Sequence, residues 1–155
     1  MSATPEVSEL ATALVGLSHH VLHLFAEVGR TYKLSQQQVE LICAVIVPGR
    51  ARMSELGRSL HLEKSNLSNL VDRMEQRGLV LRSRDPDDRR ATMVELTEEG
   101  TRLGMLTYGE VTARLSRLTD RLNAEDRTRL TEVVQQLMPE DEDRPTGLIS
   151  PGMAP

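Results

Sequence analysis

The chain has 155 residues, one cysteine and a formal charge of −4, from 19 basic and 23 acidic residues. A single cysteine, Cys43, excludes an intrachain disulfide, and the longest apolar run, Leu41 to Val47, is too short to cross a bilayer. With 27% charged and 39% hydrophobic residues, and a start (MSATPEVSEL) lacking the basic and apolar segments of a signal peptide, the expectation is a globular cytoplasmic protein without membrane contact.

Thr4-Pro5 reads as an N-cap followed by proline in the first helical position, and Val7, Leu10, Leu14, Leu17, Val21, Leu24 and Val28 recur at three- and four-residue steps. The spacing predicts a long, one-sided helix over 5–30. Ser35 and Gln38 fit a capping box that opens a second helix through Val39, Ile42, Cys43 and Ile46, stopped by Pro48-Gly49. Its apolar content suits a central position.

A short segment from Met53 to Leu60, a His61-Leu62 turn and a helix from Glu63 to Arg77 come next, with Leu67, Leu70, Val71 and Met74 on one face and Gly78 as C-terminal cap. Two short helices joined by a tight turn, the second opening with small polar residues, match the helix-turn-helix pattern. The period then changes. Leu79 to Arg84 and Ala91 to Leu96 are strand-like, with Met93 and Val94 packing inward, and the polar stretch between them makes a hairpin, or wing. Thr97 caps a further long helix bearing Leu103, Leu106, Val111, Leu115, Leu118 and Leu122. Asn123, with Asp126 three positions on, starts a last helix with Leu130, Val133, Val134 and Leu137 that ends at Pro139.

The expected fold class is mainly α with a small β-hairpin wing: a winged helix-turn-helix with long N- and C-terminal dimerisation helices. A single domain spans 1–138, with 5–30 and 97–138 as dimerisation helices and 35–96 as the winged lobe. The proline-rich, acidic stretch 139–155 is expected to be a disordered tail.

Charge is distributed unevenly along this plan. From Arg50 to Arg90 there are ten basic and seven acidic residues, a balance of +3, which leaves nine basic against sixteen acidic elsewhere, or −7. A basic middle between acidic flanks suits a polyanionic partner better than the net charge implies.

Reading duplex DNA needs a polar helix start that fits the major groove and cations that fix the register on phosphates. With Leu67 and Leu70 turned inward, Ser65, Asn66, Ser68 and Asn69 are left outward for base readout, asparagine being able to pair bidentately with adenine. Lys64, Arg73, Arg50, Arg52, Arg58 and Arg84 are assigned to phosphates. At the hairpin tip, DPDDRR, Arg90 is assigned to the minor groove and Arg89 to phosphate, with Asp88 expected to hold the Arg90 guanidinium in a bidentate pair. An isolated RR dipeptide would be a surface turn with compensating charges; a hairpin directly after a helix-turn-helix changes that balance.

The stretch LEKSNLSNLVDRMEQRGLVLRSRDPDDRRATMVELTEEG, Leu62 to Gly100, resembles the MarR (multiple antibiotic resistance regulator) family of winged-helix transcription regulators, and helix order and lengths agree over most of the remainder. The resemblance implies a MarR-like domain over 1–138, a homodimer whose first and last two helices interleave, and two lobes reading the halves of a palindromic double-stranded operator. It further implies a repressor of adjacent genes, released by a small-molecule effector. One-sided helices at both termini point to a partner independently, since they carry more apolar surface than a small lobe can cover. Many family members carry arginine where this chain has Asn69, so base preference there is expected to differ.

Sensing residues are harder to find. Cys43, on the apolar face of the second helix, reads as an inert small hydrophobe and not as an oxidant sensor. His19 and His23, one turn apart with Glu27 a further turn on, have a spacing that suits zinc, but a solvated stripe is the preferred reading and no metal or cofactor is assigned. His20 and His23, at the lobe boundary, are the candidates to line an effector pocket. Only Phe25, Tyr32 and Tyr108 are aromatic, so such a pocket would be mostly aliphatic. An enzyme is not expected: no nucleophile with a base, metal cage or phosphate-cradling glycine loop is present. The rival is a winged-helix module that binds protein without DNA, against which the basic middle and wing arginines weigh.

Overall fold

Three of the helix starts in this protein are set by cap side chains that accept an orphan backbone N–H three residues on. In the computed structural model, which describes residues 5–138, Ser35 Oγ accepts the Gln38 N–H at 3.2 Å while Gln38 Oε1 accepts the Ser35 N–H at 2.9 Å. Thr97 Oγ1 accepts the Gly100 N–H at 2.9 Å, and Asn123 Oδ1 the Asp126 N–H at 2.8 Å. The expected Thr4 cap and the 139–155 tail lie outside the described residues.

The elements in chain order are α1 (Pro5–Tyr32), α2 (Gln36–Ile46), β1 (Arg50–Arg52), α3 (Met53–Ser59), α4 (Lys64–Gln76), β2 (Val80–Arg84), β3 (Thr92–Leu96), α5 (Glu98–Leu118) and α6 (Ala124–Leu137). This is a mainly helical winged helix-turn-helix with long flanking helices. α2 is the centre: it packs on both α1 and α5, and Val39, Leu41, Ile42 and Val45 are wholly excluded from solvent. Burying one such side chain contributes roughly 1.5–3 kcal/mol, so α2 supplies much of the lobe's hydrophobic stabilisation. From α4, Leu67, Leu70, Val71 and Met74 join this core, as their spacing predicted; Val94 of β3 joins it and Met93 is also buried.

A hairpin was expected, yet the sheet has three antiparallel strands in the order β1-β3-β2. β1 pairs Arg50 with Glu95, Ala51 with Val94 and Arg52 with Met93. The tripeptide RAR alternates polar and apolar, with only Ala51 buried, but three residues are too few to signal a strand; pairing with β3 makes it one. The stripe of α5 is covered only in part by one copy of the chain. On α5, Val111 is buried, whereas Leu106 and Leu118 are exposed.

Two close approaches join lobe and long helices. Gly100, in the first turn of α5, lies so near Leu79 that a β-carbon there would sit 1.8 Å from the Leu79 carbonyl oxygen. Thr97 spans the same seam, donating through Oγ1 to the Gly78 carbonyl at 2.6 Å and through its N–H to that of Leu79 at 3.0 Å. Arg77, at the end of α4, donates through Nη1 to the Lys33 carbonyl at 2.9 Å and to Gln38 Oε1 at 3.2 Å, which fastens α4 to the α1–α2 corner.

Candidate nucleic-acid interface

Along α4 the buried Leu67, Leu70, Val71 and Met74 turn the opposite side outward, where Ser65, Asn66, Asn69 and Arg73 are exposed. Before α4, His61 takes a positive φ of 51° in the tight turn after α3, a conformation that costs a side-chain-bearing residue energy and sharpens the turn. Ser68 departs from its assignment. It is half-buried and faces the sheet, where Arg82 Nη2 donates to its Oγ at 3.3 Å and to its carbonyl at 3.1 Å. A hydroxyl so engaged is withdrawn from the outward face, leaving three small polar side chains there.

The wing tip is ordered by its own backbone. Asp85 N–H donates to the Ala91 carbonyl at 3.0 Å, and Ala91 N–H to that of Asp88 at 2.9 Å. Asp85 is buried: its Oδ1 accepts the Asp87 N–H at 2.9 Å and its Oδ2 meets Arg52 Nη2 at 2.6 Å. The Asp87 N–H, followed by the Arg52 charge, holds the Asp85 carboxyl below the usual carboxylate range. Arg52, expected on phosphate, therefore anchors the base of the wing. Asp88 also acts differently from expectation: its Oδ1 accepts the Arg90 backbone N–H at 3.0 Å, so it shapes the turn and not the guanidinium.

Arg84, Arg89 and Arg90 are exposed, and among the described residues none of them, nor Lys64 or Arg73, has a carboxylate within ion-pair distance. Arg50 lies 4.0 Å from Glu95. A cleft of about 670 Å³ opens between α3, α4 and the wing, and Arg58, Lys64 and Arg90 all line it. Arg82 of β2 and Ser68 line it too, so four cations from four elements share one opening beside the polar face of α4. Sequence reasoning missed Arg82 and Asp85, whose partners lie on other elements; nothing in their own neighbourhoods marks them.

The candidate sensing residues fall elsewhere. Cys43 is 2% exposed, and burial, with a smaller contribution from Glu40, pushes its thiol up to about 12, far from a reactive thiolate. His19 is exposed, and His23 Nε2 lies 3.4 Å from Glu27 Oε1. Among the described residues no group of three or more His, Cys, Asp or Glu side chains is arranged to hold a metal, and no helix is long and apolar enough to cross a membrane. The structure does bring His20 and His23 to one cleft, of about 180 Å³, between α1 and α5; Leu24, Glu27, Arg114 and Arg117 complete its main lining. Arg114 is held there by Glu110 at 2.7 Å and Glu27 at 3.1 Å.

Comparison with known proteins agrees with this geometry. Residues 34–92, from just before the α2 cap to the first residue of β3, match the MarR family model. The chain is 28% identical over 94 residues to the HTH-type transcriptional regulator YfiV of Bacillus subtilis, a match covering 61% of this chain and 59% of that regulator's length. Among solved structures, AbsC, a MarR family transcriptional regulator from Streptomyces coelicolor, superposes with a TM-score of 0.74 at 25% identity, covering 88% of this chain and 95% of AbsC. A mutant MarR of E. coli complexed with operator DNA superposes with a TM-score of 0.71 at 21% identity, over 90% of this chain and all of that one, and shares the fold.

Proposed function

We propose that the chain is a MarR-family winged helix-turn-helix protein and, from that premise, a sequence-specific regulator of transcription that binds double-stranded DNA as a homodimer. One observation carries the reading. The outward face of α4 offers Ser65, Asn66 and Asn69, and on the same side Lys64, Arg58 and the wing's Arg90 converge on one cleft. Small polar side chains on a helix read base edges; cations around them take phosphates and a minor groove. Net acidity elsewhere does not oppose this, because the field at the duplex comes from the nearest charges and salt screens the rest within ~8 Å.

Dimerisation follows from what one copy leaves uncovered. Leu10, Leu14, Val15 and Leu17 on α1 and Leu130, Val133, Val134 and Leu137 on α6 are all exposed, and α6 buries none of its residues. An apolar surface of this extent at both termini fits a second copy. Two lobes held that way would reach major grooves about one helical turn, ~34–36 Å, apart, hence a palindromic site. We assign the effector, a small molecule that shifts the spacing of the lobes, to the α1/α5 cleft lined by His20 and His23. Repression of adjacent genes is the mode assigned to the regulator.

The test is fluorescence anisotropy with a duplex selected by the full chain from a randomised pool. Affinity should fall log-linearly with salt, by about 0.9 in the logarithmic slope per phosphate neutralised. Absence of binding to every duplex at low salt would overturn the reading and favour a protein partner.

A further inference from the structure

The recognition surface carries a charge problem that its own helix does not solve. Within Lys64–Gln76, Lys64 and Arg73 are offset by Asp72 and Glu75, a net charge of zero on the element meant to approach phosphates. Asp72 is half exposed. Left alone, both carboxylates would repel a duplex.

The answer comes from the neighbouring strand. Arg82 of β2 reaches across so that its Nη1 lies 2.7 Å from Asp72 Oδ1 and also against Glu75 Oε2. Its backbone N–H donates to Glu75 Oε1 at 3.0 Å, and Nη2 takes the Ser68 carbonyl and hydroxyl. One residue therefore binds α4 at three positions, 68, 72 and 75, spanning two turns. Its side chain is only 24% exposed and both terminal nitrogens already have acceptors, which distinguishes it from Arg89 and Arg90, whose guanidinium groups lack such partners among the described residues.

We propose that Arg82 is a positioning residue for duplex recognition, which neutralises Asp72 and Glu75 and fixes the wing against α4 without itself touching DNA. The inference rests on the DNA-binding function proposed above. Two consequences belong to one side chain: α4 changes from neutral to positive in effect, and the distance between its polar face and the wing tip is set. Only a planar fork with several donors serves two carboxylates and a carbonyl together; lysine carries the charge but not the geometry. The same contacts take Ser68 off the reading face and leave Ser65, Asn66 and Asn69 to it.

A double-mutant cycle tests this with the full chain, the selected duplex and a shuffled duplex of equal composition. Arg82→Gln should weaken binding to the selected duplex roughly tenfold, a coupling of ordinary size for residues in one network. In the Asp72→Asn/Glu75→Gln background the same substitution should cost no more than about threefold, since nothing remains to be neutralised. Equal losses in both backgrounds, with the salt slope shallower by about one, would make Arg82 a phosphate contact and overturn the inference. So would no loss in either. Arg82→Lys serves if Arg82→Gln does not fold: it should keep affinity for the shuffled duplex while discrimination between the duplexes falls several-fold, and full discrimination would overturn the inference. If the wild-type chain binds neither duplex, the DNA-binding function itself has failed, and this outcome is separate from every failure above.

Discussion

Seven of the eleven residues of α2 are buried, while of the fourteen in α6 none is. Composition accounts for part of this, with one charged residue in α2 against five in α6, yet both helices carry well-spaced apolar side chains. What differs is the partner: α2 has α1, α5 and the sheet around it, and α6 projects Leu130, Val133, Val134 and Leu137 into solvent. The winged lobe is finished by one copy of the chain and the terminal helices are not. Apolar periodicity in a sequence thus reports that a face will be covered, and leaves open by whom.

The seam between the two regions is where the contrast breaks most easily. Gly100→Ala places a methyl 1.8 Å from the Leu79 carbonyl oxygen and 2.8 Å from its carbon, both backbone atoms that a rotamer change cannot move aside. Separating α5 from the lobe loosens regions on both sides, and the expected loss is about 3 kcal/mol or more, at the high end for overpacking. Urea denaturation reads it. A variant as stable as the parent would show that α5 and the lobe are not rigidly joined.

Next in size is an attack on the unfinished region alone. Leu130→Glu/Val134→Glu puts two charges on the α6 face without touching the lobe's core. Light scattering should show the mass halved, while amide exchange in α2 stays slow. Binding to a palindromic duplex should fall by roughly 100-fold, as two linked lobes become one. Loss of α2 protection in the same variant would show that the lobe is not complete on its own.

Smaller effects sharpen the lobe's own division of labour. Asn66→Ala should cost ~1–3 kcal/mol at a single base pair and spare nonspecific binding, whereas Arg90→Ala should weaken binding mainly where A·T-rich flanks narrow the minor groove. Binding assays over a panel of single base-pair changes in the selected duplex separate the two. A uniform loss from Asn66→Ala across that panel would remove it from base reading.

The elements that sequence showed correctly are those whose signals are local. Ser35 with Gln38, Thr97 and Asn123 each bond to a backbone N–H three residues on, so cap and helix start are written together. β1 was hidden because its pairing partner lies more than forty residues away and three residues are too short a run for their alternation to count. For Asp88, a two-residue step to Arg90 fits either the guanidinium or the backbone N–H. The backbone wins because it is already fixed by the turn, whereas holding a long, exposed arginine costs up to ~2 kcal/mol of rotamer entropy. Arg82 and Arg52 looked interchangeable with the other cations of the basic middle. Only tertiary structure sorts arginines that face carboxylates of the lobe from those that do not.

Acid should part the two regions most gently. Asp85 is the buried carboxylate at the base of the wing, and the Asp87 N–H and Arg52 favour its ionised form, so its folded pKa lies below the unfolded value of ~3.9. The sign follows from linkage: its stabilising contribution is complete above that value and disappears as pH falls through the lower folded one. Between those limits the Asp85 to Arg52 tie loosens while α1, α5 and α6 have no comparable buried carboxylate among the described residues. Amide shifts of Asp87 and Ala91 followed from pH 6 downward should therefore move only below ~3.9, ahead of the helix amides. At neutral pH, Asp85→Asn keeps an acceptor for the Asp87 N–H but gives up the Arg52 charge, so DNA affinity should fall only a few-fold, with the helical signal unchanged. Wing and helix amides that shifted together on acidification would mean that the wing is not held independently by this carboxylate.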